Sequence, residues 1–552
     1  MENKRLAELL FPGVTKDAGY YEGLFPVRNL KNGAKVTRLA PSPTGFIHLG
    51  NLYGAFVDER LARQSGGVFY LRIEDTDDKR FVEGAVEAII SSLDFFGISF
   101  DEGAAANGDS GVYGPYYQSK RAGIYQCYVK QMINNDQAYP CFLSEEEITD
   151  IRKLQEKNKE TPGIYGKWAA SRELDYEQVE AKIKSGTPYV IRLKSKGSNR
   201  QIQVDDGIRG TLVLPENYHD VVILKKNGIP TYHFAHAIDD HLMRTTHVVR
   251  GEEWLSSLPI HVELFNMLSF PMPVFCHTAQ LMKLGADGNK RKLSKREDPE
   301  LSLSYYRNEG YHPDAVREYL LTIINSNFEE WRGSNPGSGI DEFPFTLEKM
   351  SVSGALFDLN KLDDVCKDVL LKIPAAELRK FMVSWAREFK PEAAAVLERD
   401  EEYIEKILNI GRNGDNPRKD LVFARQIFEF MSYFFDEYFV IKDEIPPNVS
   451  NEDAGAILRA YLSGYSHSDD QAGWFDIIRE IGTGLGYAAK PKDHKKDPGL
   501  YKGHVGHVST VIRIALTGRA QSPDIWEIQQ ILGEQRTRSR VLNFIETLPS
   551  EQ

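Results

Sequence analysis

Two short segments of the sequence carry residues that could bind the phosphates of a nucleotide. The first, His48-Leu49-Gly50-Asn51, follows a loop rich in proline and serine. If a helix begins there, its unpaired backbone N–H groups favour phosphate, and a glycine at position 50 lets a planar base approach the backbone. The second segment, residues 290–296, holds five cations in seven positions. A mobile loop of this kind can stabilise negative charge that develops during a reaction.

Each segment taken alone has an ordinary structural interpretation. A single histidine such as His48 is more often a structural residue at the start of a helix. Residues 290–296 alone would be a basic surface loop or a nucleic-acid contact. Their joint presence favours phosphate chemistry, provided that the fold brings them together.

The elements around His48 are predicted from hydrophobic spacing. Residues 35–39 read as a strand, and residues 68–73 form a nearly continuous apolar run that is typical of a parallel strand covered on both faces. Between them, apolar residues recur at helical spacing up to the stop at Gly66-Gly67. Strand, helix and strand in this order predict a βαβ unit of a doubly wound nucleotide-binding sheet.

The pattern changes twice further along the chain. A charged helix at 144–159 and short strands near 189–194 and 201–204 predict an insertion, after which residues 232–254, with a strand at 247–249, return to α/β character. After about Pro299 the apolar spacing is helical almost to the end, for example at 315–324, 375–385, 421–439 and 454–462. The aromatic residues of 428–439 could stack on bases, but the core of a helical bundle is the favoured interpretation.

Composition indicates an ordinary globular protein, with 41% hydrophobic and 27% charged residues. No apolar run is long enough to span a membrane, and residues 1–16 lack an apolar signal core, so a cytoplasmic location is expected. The four cysteines form no C-x-x-C pair, which favours reduced, buried thiols. The net charge of −12 argues weakly against a nucleic-acid partner, because residues 490–519 hold seven Lys or Arg against two Asp. That patch is either a solvated face or an RNA contact.

The two phosphate segments resemble the HIGH and KMSKS motifs of class I aminoacyl-tRNA synthetases, although Asn51 stands where the first motif has histidine. Further blocks are similar to bacterial-type glutamyl-tRNA synthetases and fall in family order. They are Arg38-Leu39-Ala40-Pro41-Ser42-Pro43-Thr44-Gly45, Leu71-Arg72-Ile73-Glu74-Asp75-Thr76-Asp77, Pro230-Thr231-Tyr232-His233-Phe234-Ala235, Asp239-Asp240-His241-Leu242-Met243 and Val249-Arg250-Gly251-Glu252-Glu253-Trp254. The similarity covers nearly the whole chain after about residue 35.

This resemblance implies a glutamate site. Arg38, with Tyr232, matches the residues that bind the side-chain carboxylate; Arg250 lies near the α-carboxylate, and Glu74 holds the amino group. The full set implied for glutamate is Arg38, Ala40, Ser42, Glu74, Tyr232, Arg250, Glu253 and Trp254. A bidentate Arg–carboxylate pair would reject glutamine, whose amide presents N–H donors to guanidinium donors. Out of this context, each arginine would more often form a structural ion pair.

The resemblance also implies an ATP site and a reaction. The residues implied for ATP are Pro41, Ser42, Thr44, His48, Gly50, Asn51, Ser294, Lys295 and Arg296, and the catalytic set is His48, Lys292 and Lys295. The glutamate α-carboxylate would attack the α-phosphorus of ATP, and the terminal ribose hydroxyl of tRNA for glutamate would then attack the adenylate. Positioning and charge neutralisation dominate such chemistry. Magnesium is expected to arrive with ATP.

We therefore expect a Rossmann-like α/β catalytic domain with an α+β insertion, followed by an all-α C-terminal half. The expected segments are 1–34, an N-terminal extension; 35–140 and 229–300, the two halves of the catalytic domain; 141–228, an acceptor-stem-binding insertion; 301–374, a helical stem-contact domain; and 375–552, a helical anticodon-binding region. A monomer without a membrane partner is expected.

Several positions depart from the family pattern. Many relatives bind zinc in the insertion through Cys-x-Cys and Cys-x-His pairs, but only Cys141 of the four ligands is present here, so neither structural zinc nor any other metal site is predicted. Leu39 stands where phenylalanine is usual, a mild change. The loop 412–419 is longer than the anticodon-reading loop of relatives, which leaves its arginine unassigned. The role of residues 1–34 is also unassigned.

Four other functions compete with this interpretation. An inactive paralogue is disfavoured because His48, Lys295, Arg38 and Arg250 are all present. The short paralogue that modifies a tRNA base lacks the C-terminal helical region, and a small-molecule nucleotidyl transferase would not need it. Glutaminyl-tRNA synthetase usually carries Glu at the place of Ser42. The sequence leaves open whether tRNA for glutamine is also charged with glutamate.

Overall fold

The computed structural model describes residues 2–43, 47–77, 82–105 and 108–549. The chain divides into two compact units, one of Met1–Tyr305 with Arg317–Asp358 and one of Tyr306–Val316 with Leu359–Gln552. The expected segment 301–374 is therefore shared between the units. The tRNA-binding roles given to the segments stay predictions.

The first unit begins with two helices and a βαβ arrangement. Its first elements are α1 (Glu2–Leu10), α2 (Ala18–Leu24), β1 (Val36–Leu39), α3 (Leu49–Ser65), β2 (Val68–Leu71), α4 (Ala85–Phe95), β3 (Glu102–Gly103) and α5 (Ala122–Asn134). Strands β1, β2 and β3 pair in parallel in that order. The predicted strand, helix and strand are confirmed, and all four residues of β1 are buried.

The turn between α3 and β2 explains the paired glycines. Gly66 ends the helix in the left-handed conformation, at φ 66°, which glycine adopts without a steric penalty. A Cβ on Gly67 would lie 1.9 Å from the carbonyl oxygen of Lys35. That oxygen accepts the N–H of Val68, so the close approach aligns β2 with the chain that leads into β1.

The segment 138–228, which includes the predicted insertion 141–228, contains two separate β structures. Its elements are β4 (Ala138–Cys141), α6 (Glu145–Lys157), α7 (Tyr176–Lys184), β5 (Val190–Leu193), β6 (Gln201–Asp206), β7 (Gly210–Pro215) and β8 (Val222–Leu224). Strands β4, β5 and β8 form one antiparallel sheet, whereas β6 and β7 form a hairpin that belongs to another. The strands predicted near 189–194 and 201–204 are confirmed.

The segment 229–358, apart from residues 306–316, completes the unit. Its elements are α8 (Tyr232–Leu242), β9 (His247–Gly251), α9 (Leu258–Leu268), β10 (Val274–Thr278), β11 (Leu281–Leu284), β12 (Lys290–Lys292), α10 (Leu303–Glu309), α11 (Pro313–Ile324), α12 (Phe328–Ser334) and β13 (Ala355–Leu356), and the division between the units falls within α10 and α11. Strand β10 pairs in parallel with both β9 and β6. The N–H of Thr246 donates to the carbonyl of Val36 at 2.9 Å, which brings β9 next to β1.

The N-terminal extension lies against α5 and the C-terminal end of α8. Lys130 of α5 pairs with Glu8 at 2.9 Å, and Arg244, just after α8, pairs with Glu22 at 2.8 Å. Phe25, three residues after Glu22, is buried, and its carbonyl accepts a hydrogen bond from Nε of Arg244 at 3.1 Å. The extension is thus an ordered part of the first unit.

Helices make up the second unit. They are α13 (Leu359–Lys372), α14 (Ala375–Phe389), α15 (Pro391–Leu397), α16 (Glu401–Asn409), α17 (Ala424–Met431), α18 (Asn451–Gly464), α19 (Gln471–Gly484), α20 (Pro491–Lys496), α21 (Val505–Thr517), α22 (Ile525–Leu532) and α23 (Glu534–Thr547). The prediction of an α/β half followed by a helical half is confirmed. Within the described ranges, no helix is both long and apolar enough to cross a bilayer.

One predicted helix is too long. Helical spacing was expected over 421–439, but α17 ends at Met431 and a short 3-10 turn follows at Ser432–Phe434. The side chains of 433–435 are buried in the core of this unit, and a core selects apolar residues whether or not they follow the helical period. The core interpretation of the aromatic residues is confirmed except at Phe430, which is 41% exposed. All four cysteines are free and buried, as expected.

Candidate active site

A cavity of about 350 Å³ lies where β1 and β9 end and α3 begins. It brings together most of the residues that the sequence singled out. Predicted residues that line it are Arg38, Ala40, Pro41, His48, Gly50, Asn51, Glu74, Tyr232, Arg250, Glu253, Trp254 and Lys292. Ser42, Ser294, Lys295 and Arg296 do not line it, and Thr44 lies outside the described residues.

The start of α3 forms one wall of the cavity. The His48 N–H donates to Oδ1 of Asn51 at 3.0 Å, so Asn51 satisfies one backbone donor at this terminus. A Cβ on Gly50 would lie 3.0 Å from the His48 ring, which means that the glycine makes room for the imidazole. Burial, together with the charge of Lys292, lowers the pKa of His48. His48 is therefore neutral near pH 7 and can donate one hydrogen bond.

Two arginines behind the cavity share one carboxylate. Nε of Arg38 lies 3.3 Å from Oδ1 of Asp240, and Nη1 of Arg72 donates to the same oxygen at 2.6 Å. Arg38 also donates to the carbonyl of Val249 at 3.2 Å. All three ionic side chains are buried. Despite its burial, the two guanidinium groups hold the pKa of Asp240 well below its usual range.

Glu74 provides an acid in the cavity wall. Its N–H donates to the Pro41 carbonyl at 3.0 Å, which fixes the chain beside the first loop. Its Oε1 accepts a hydrogen bond from Arg72 at 3.2 Å. Burial outweighs this contact and raises the pKa of Glu74 to about 7. Burial also holds the pKa of Asp58, another lining residue, well above its ordinary value.

Arg250, at the end of β9, is held by two histidines. Its Nε donates to Nε2 of His277, and its Nη1 donates to Nδ1 of His261, each at 2.9 Å. Its buried Nη2 has no hydrogen-bond partner among the described residues. No carboxylate among the described residues forms an ion pair with Arg250. Burial lowers the pKa of Arg250, but an arginine remains charged at neutral pH.

Aromatic rings form the remaining wall. The rings of Tyr232 and Trp254 lie 4.3 Å apart, and Tyr232 stacks on His236 with an interplanar angle of 8°. Tyr232 is the first residue of α8 and Asp240 lies two turns later, so one helix places both the phenol and the carboxylate that orients Arg38. Burial raises the pKa of Tyr232, so it is a neutral hydrogen-bonding group.

The basic segment 290–296 lies at the edge of the cavity; its first three residues form β12, which pairs with β11, and the rest is the loop that follows. Arg291 donates to both oxygens of Asp298 at 2.6 and 2.7 Å, and the N–H of Ser294 donates to the same carboxylate at 2.8 Å. Lys292, Lys295 and Arg296 are all exposed, but of these three Lys292 alone lines the cavity. The buried Asp298 thus fixes the base of the loop, and the two outer cations face solvent.

Many residues that line the cavity or hold its side chains in place could not be identified from the sequence. Asp240 was noted only as part of a family motif, and Asp206, His261 and His277 carried no signal at all. Lining residues that were not predicted are Leu39, Tyr53, Gly54, Asp58, Val249, Gly251, Thr278, Ala279, Gln280, Leu281, Leu293 and Leu301. Thr278 is the last residue of β10 and residues 279–281 follow it, so a search of the carboxyl ends of the parallel strands would have found them.

In the described ranges, no group of three or more His, Cys, Asp or Glu side chains is arranged to hold a metal ion. The prediction that the insertion lacks zinc stays a prediction.

Comparison with known proteins gives consistent results. Residues 35–363 match the model for the catalytic domain of class I tRNA synthetases (E and Q), and residues 502–545 match an anticodon binding domain. The chain is 62% identical to a glutamate–tRNA ligase of Acetivibrio thermocellus, over 99% of this chain and 100% of the relative. It is 47% identical to that of Clostridium perfringens, over 99% of this chain and 100% of the relative.

A solved structure supports the same assignment. The glutamate tRNA ligase of Elizabethkingia meningosepticum, in complex with its amino acid, superposes with a TM-score of 0.73 at 28% identity, covering 93% of this chain and 100% of that one. The catalytic model alone matches more than half of the chain. The chain therefore belongs to the glutamate–tRNA ligase family of class I tRNA synthetases.

Proposed function

We propose that this protein activates L-glutamate with ATP and transfers it to the 3′ end of tRNA for glutamate. One observation carries the proposal. A single cavity is lined by two buried arginines, by the carboxyl groups of Asp58, Glu74 and Glu253, by the N-terminus of α3 and by Lys292, and Glu74 is the acid that we assign to the ammonium. Two cations and one acid complement glutamate, which carries two carboxylates and an ammonium, and the helix terminus complements phosphate.

Within this cavity we assign Arg38 and Tyr232 to the side-chain carboxylate, Arg250 to the α-carboxylate and Glu74 to the amino group. Arg250 suits a carboxylate because its buried Nη2 has no hydrogen-bond partner among the described residues. Glu74 suits an ammonium because its pKa of about 7 lets it ionise when a cation binds. Ala40, Glu253 and Trp254 complete the proposed amino-acid site, and a contact of Ser42, which does not line the cavity, stays a prediction.

The nucleotide is assigned to the wall formed by α3 and the basic loop. Neutral His48 would donate to a phosphate oxygen, and Lys292 would neutralise charge beside it. Lys295, Ser294 and Arg296 lie outside the cavity, so their proposed contact with the leaving pyrophosphate requires movement of the loop. Residues 41–51 supply the other proposed contacts, namely Pro41, Ser42, Thr44, Gly50 and Asn51.

In the first step, a glutamate α-carboxylate oxygen forms a bond to the α-phosphorus as the bond to pyrophosphate breaks. In the second, the terminal ribose hydroxyl of tRNA attacks the activated carbonyl and AMP leaves. The side chains hold the reactants and balance their charge, and form no covalent bond. Magnesium would arrive with ATP and neutralise the phosphates.

The remaining partners follow from the family. We place the acceptor stem on residues 141–228 and the anticodon on 375–552, where Lys490, Lys492, Lys495 and Lys496 form an exposed basic group. Cations clustered on one face can bind the tRNA backbone although the whole chain is acidic. We expect the enzyme to act as a monomer in the cytoplasm.

The test is ATP–pyrophosphate exchange with glutamate or glutamine, each with and without tRNA. Glutamate should support exchange and glutamine should not, because a buried arginine facing an amide loses its anion. Exchange with glutamine alone, or with neither amino acid, would overturn the proposal. Arg38→Ala should weaken the use of glutamate far more than ATP binding, and equal losses would show that the side-chain carboxylate is bound elsewhere.

A further inference from the structure

The hydrogen bonds of Arg250 determine the protonation of the two histidines beside it. A guanidinium only donates hydrogen bonds, so Nε2 of His277 and Nδ1 of His261 must both be acceptors and carry no proton. The proton of His277 is then on Nδ1, which lies 2.6 Å from Oδ2 of Asp206. The proton of His261 is on Nε2, which lies 3.0 Å from Nδ1 of His233.

Every hydrogen-bond partner of the Asp206 carboxylate among the described residues is a donor. Its Oδ1 accepts the backbone N–H groups of Ile208 at 3.0 Å and Arg209 at 2.9 Å. Its Oδ2 accepts the backbone and ring N–H groups of His277 at 3.2 and 2.6 Å. Both Asp206 and His277 are buried. Only a carboxylate satisfies all four donors, so Asp206 fixes the tautomer of His277.

The carboxylate comes from a different part of the chain than the arginine. Asp206 is the last residue of β6 in the insertion, and its register partner is Phe275 on β10. The next turn strengthens this attachment, because Arg209 donates to the carbonyl of His277 at 3.1 Å. The end of hairpin β6–β7 is therefore held against the strand that carries His277.

We propose that Asp206 is a positioning residue that acts through His277 to orient Arg250 toward the α-carboxylate of glutamate. This inference rests on the role proposed above for Arg250. The three groups form a series of hydrogen bonds: the guanidinium of Arg250 donates to the imidazole of His277, which donates to the carboxylate of Asp206. The imidazole stays neutral, so it orients the guanidinium without supplying the negative charge that the substrate brings.

Asparagine at position 206 would break this arrangement in either orientation. If its amide NH2 faces His277, the ring must accept at Nδ1 and carry its proton on Nε2, directly against the Nε–H of Arg250. If the NH2 faces the turn instead, it opposes the N–H groups of Ile208 and Arg209. Both arrangements place donor against donor in a buried site.

The experiment compares Asp206→Asn with Asp205→Asn. Asp205 is the exposed neighbour on the same strand, and it bonds only to Thr211 among the described residues. With ATP and tRNA saturating, Asp206→Asn should raise the KM for glutamate by roughly tenfold to a hundredfold, and Asp205→Asn should not change it. Inhibition by L-glutamol, in which a hydroxymethyl group replaces the α-carboxylate, should be the same in both variants.

A structural role alone would give a different result. If Asp206→Asn weakens glutamol and ATP as much as glutamate, Asp206 merely holds the hairpin and the proposal is overturned. His277→Gln, which keeps a neutral acceptor, should retain more glutamate affinity than His277→Leu, and equal losses also contradict the proposal. Melting temperatures identify any variant that fails to fold. If the His277 variants fail to fold, the comparison of Asp206→Asn, which keeps the side-chain shape, with Asp205→Asn decides whether Asp206 positions Arg250.

A double-mutant cycle separates this inference from the proposed function. In an Arg250→Met background, Asp206→Asn should cause no further loss of glutamate affinity, because its effect passes through the missing guanidinium. An additional loss as large as in the wild type overturns the positioning role. If Arg250→Met alone leaves the KM for glutamate unchanged, the role proposed for Arg250 fails, whatever Asp206 does.

Discussion

Replacing Asp240 with asparagine tests the electrostatic frame behind the cavity. Asp240 is 1% exposed and compensates Arg38 and Arg72. Removing one partner of a buried ion pair costs about 3–5 kcal/mol, because the remaining charge has no counterion. Arg72 keeps contacts with Glu74 at 3.2 Å and Asp239 at 4.0 Å, which places the expected loss near the lower limit, about 3 kcal/mol.

Native-state hydrogen exchange is the suitable measurement, since unfolding of a chain with two units does not yield a single free energy. Amides of β1 and α8 should exchange on the order of a hundredfold faster in Asp240→Asn, as a loss of about 3 kcal/mol requires. Amides of α18, in the second unit, serve as an internal reference and should not change. The KM for glutamate should rise as well, because Arg38 loses the contact that orients it.

The matched control is Asp150→Asn, in an ion pair whose two side chains are 71% and 76% exposed. It should leave exchange and kinetics unchanged, since water compensates an exposed charge. If Asp240→Asn changes protection of β1 and α8 no more than this control does, the two arginines are compensated in another way. The reasoning about the buried frame would then be refuted.

Three further outcomes are expected. The KM for glutamate should fall as the pH rises toward about 7, the pKa to which burial raises Glu74, because below this pH the ammonium of glutamate must displace a proton from Glu74. Glu74→Gln should abolish this pH dependence. If the dependence persists in Glu74→Gln, Glu74 does not bind the ammonium. Lys292→Ala should lower kcat on the order of a hundredfold with little change in the KM for glutamate. The control substitution Lys290→Ala should change neither kcat nor this KM. Gly67→Ala should lower the melting temperature, with a cost of about 1–3 kcal/mol, because its Cβ would meet a backbone oxygen at 1.9 Å; Gly333→Ala, which meets nothing within 4 Å, is the control and should not.

The local parts of the fold could be predicted because residues close together in the sequence determine them. The buried strand β1, the helix that starts at His48 and the stop at Gly66 follow from spacing and residue type. The end of α17 could not, since aromatic residues such as Phe434 and Phe435 are selected by burial in a core. Hydrophobic spacing reports which residues are buried, and it reports backbone geometry only where a single element supplies the buried face.

The candidate site divides in the same way. Residues on family motifs were found, but the groups that hold them were not. Arg250 and His277 are 27 positions apart, and His277 and Asp206 are 71 positions apart. Contacts between parallel strands at such separations leave no periodic signal in one sequence. The resemblance therefore supplied the side chains that face the substrate, and the structure was needed to find what orients them.

The buried groups around Arg38 do not balance in charge. Arg38 and Arg72 share the carboxylate of Asp240, and burial favours the neutral form of Asp58 by raising its pKa. Tyr232 is neutral for the same reason. The guanidinium groups of Arg38 and Arg72 and the carboxylate of Asp240 together carry one positive charge.

Arg250 adds a second positive charge, because its neighbours His261 and His277 are neutral acceptors. Glu74 removes one charge when it ionises, which binding of an ammonium favours. One positive charge then remains, and glutamate carries one net negative charge at neutral pH, whereas glutamine carries none. Glutamate, but not glutamine, therefore balances the ionised groups Arg38, Arg72, Asp240, Arg250 and Glu74. Selection against glutamine follows from the charge of the whole site as well as from the arginine that contacts the side chain, so Arg72→Met, which removes one charge without touching the substrate, should lower the preference for glutamate over glutamine.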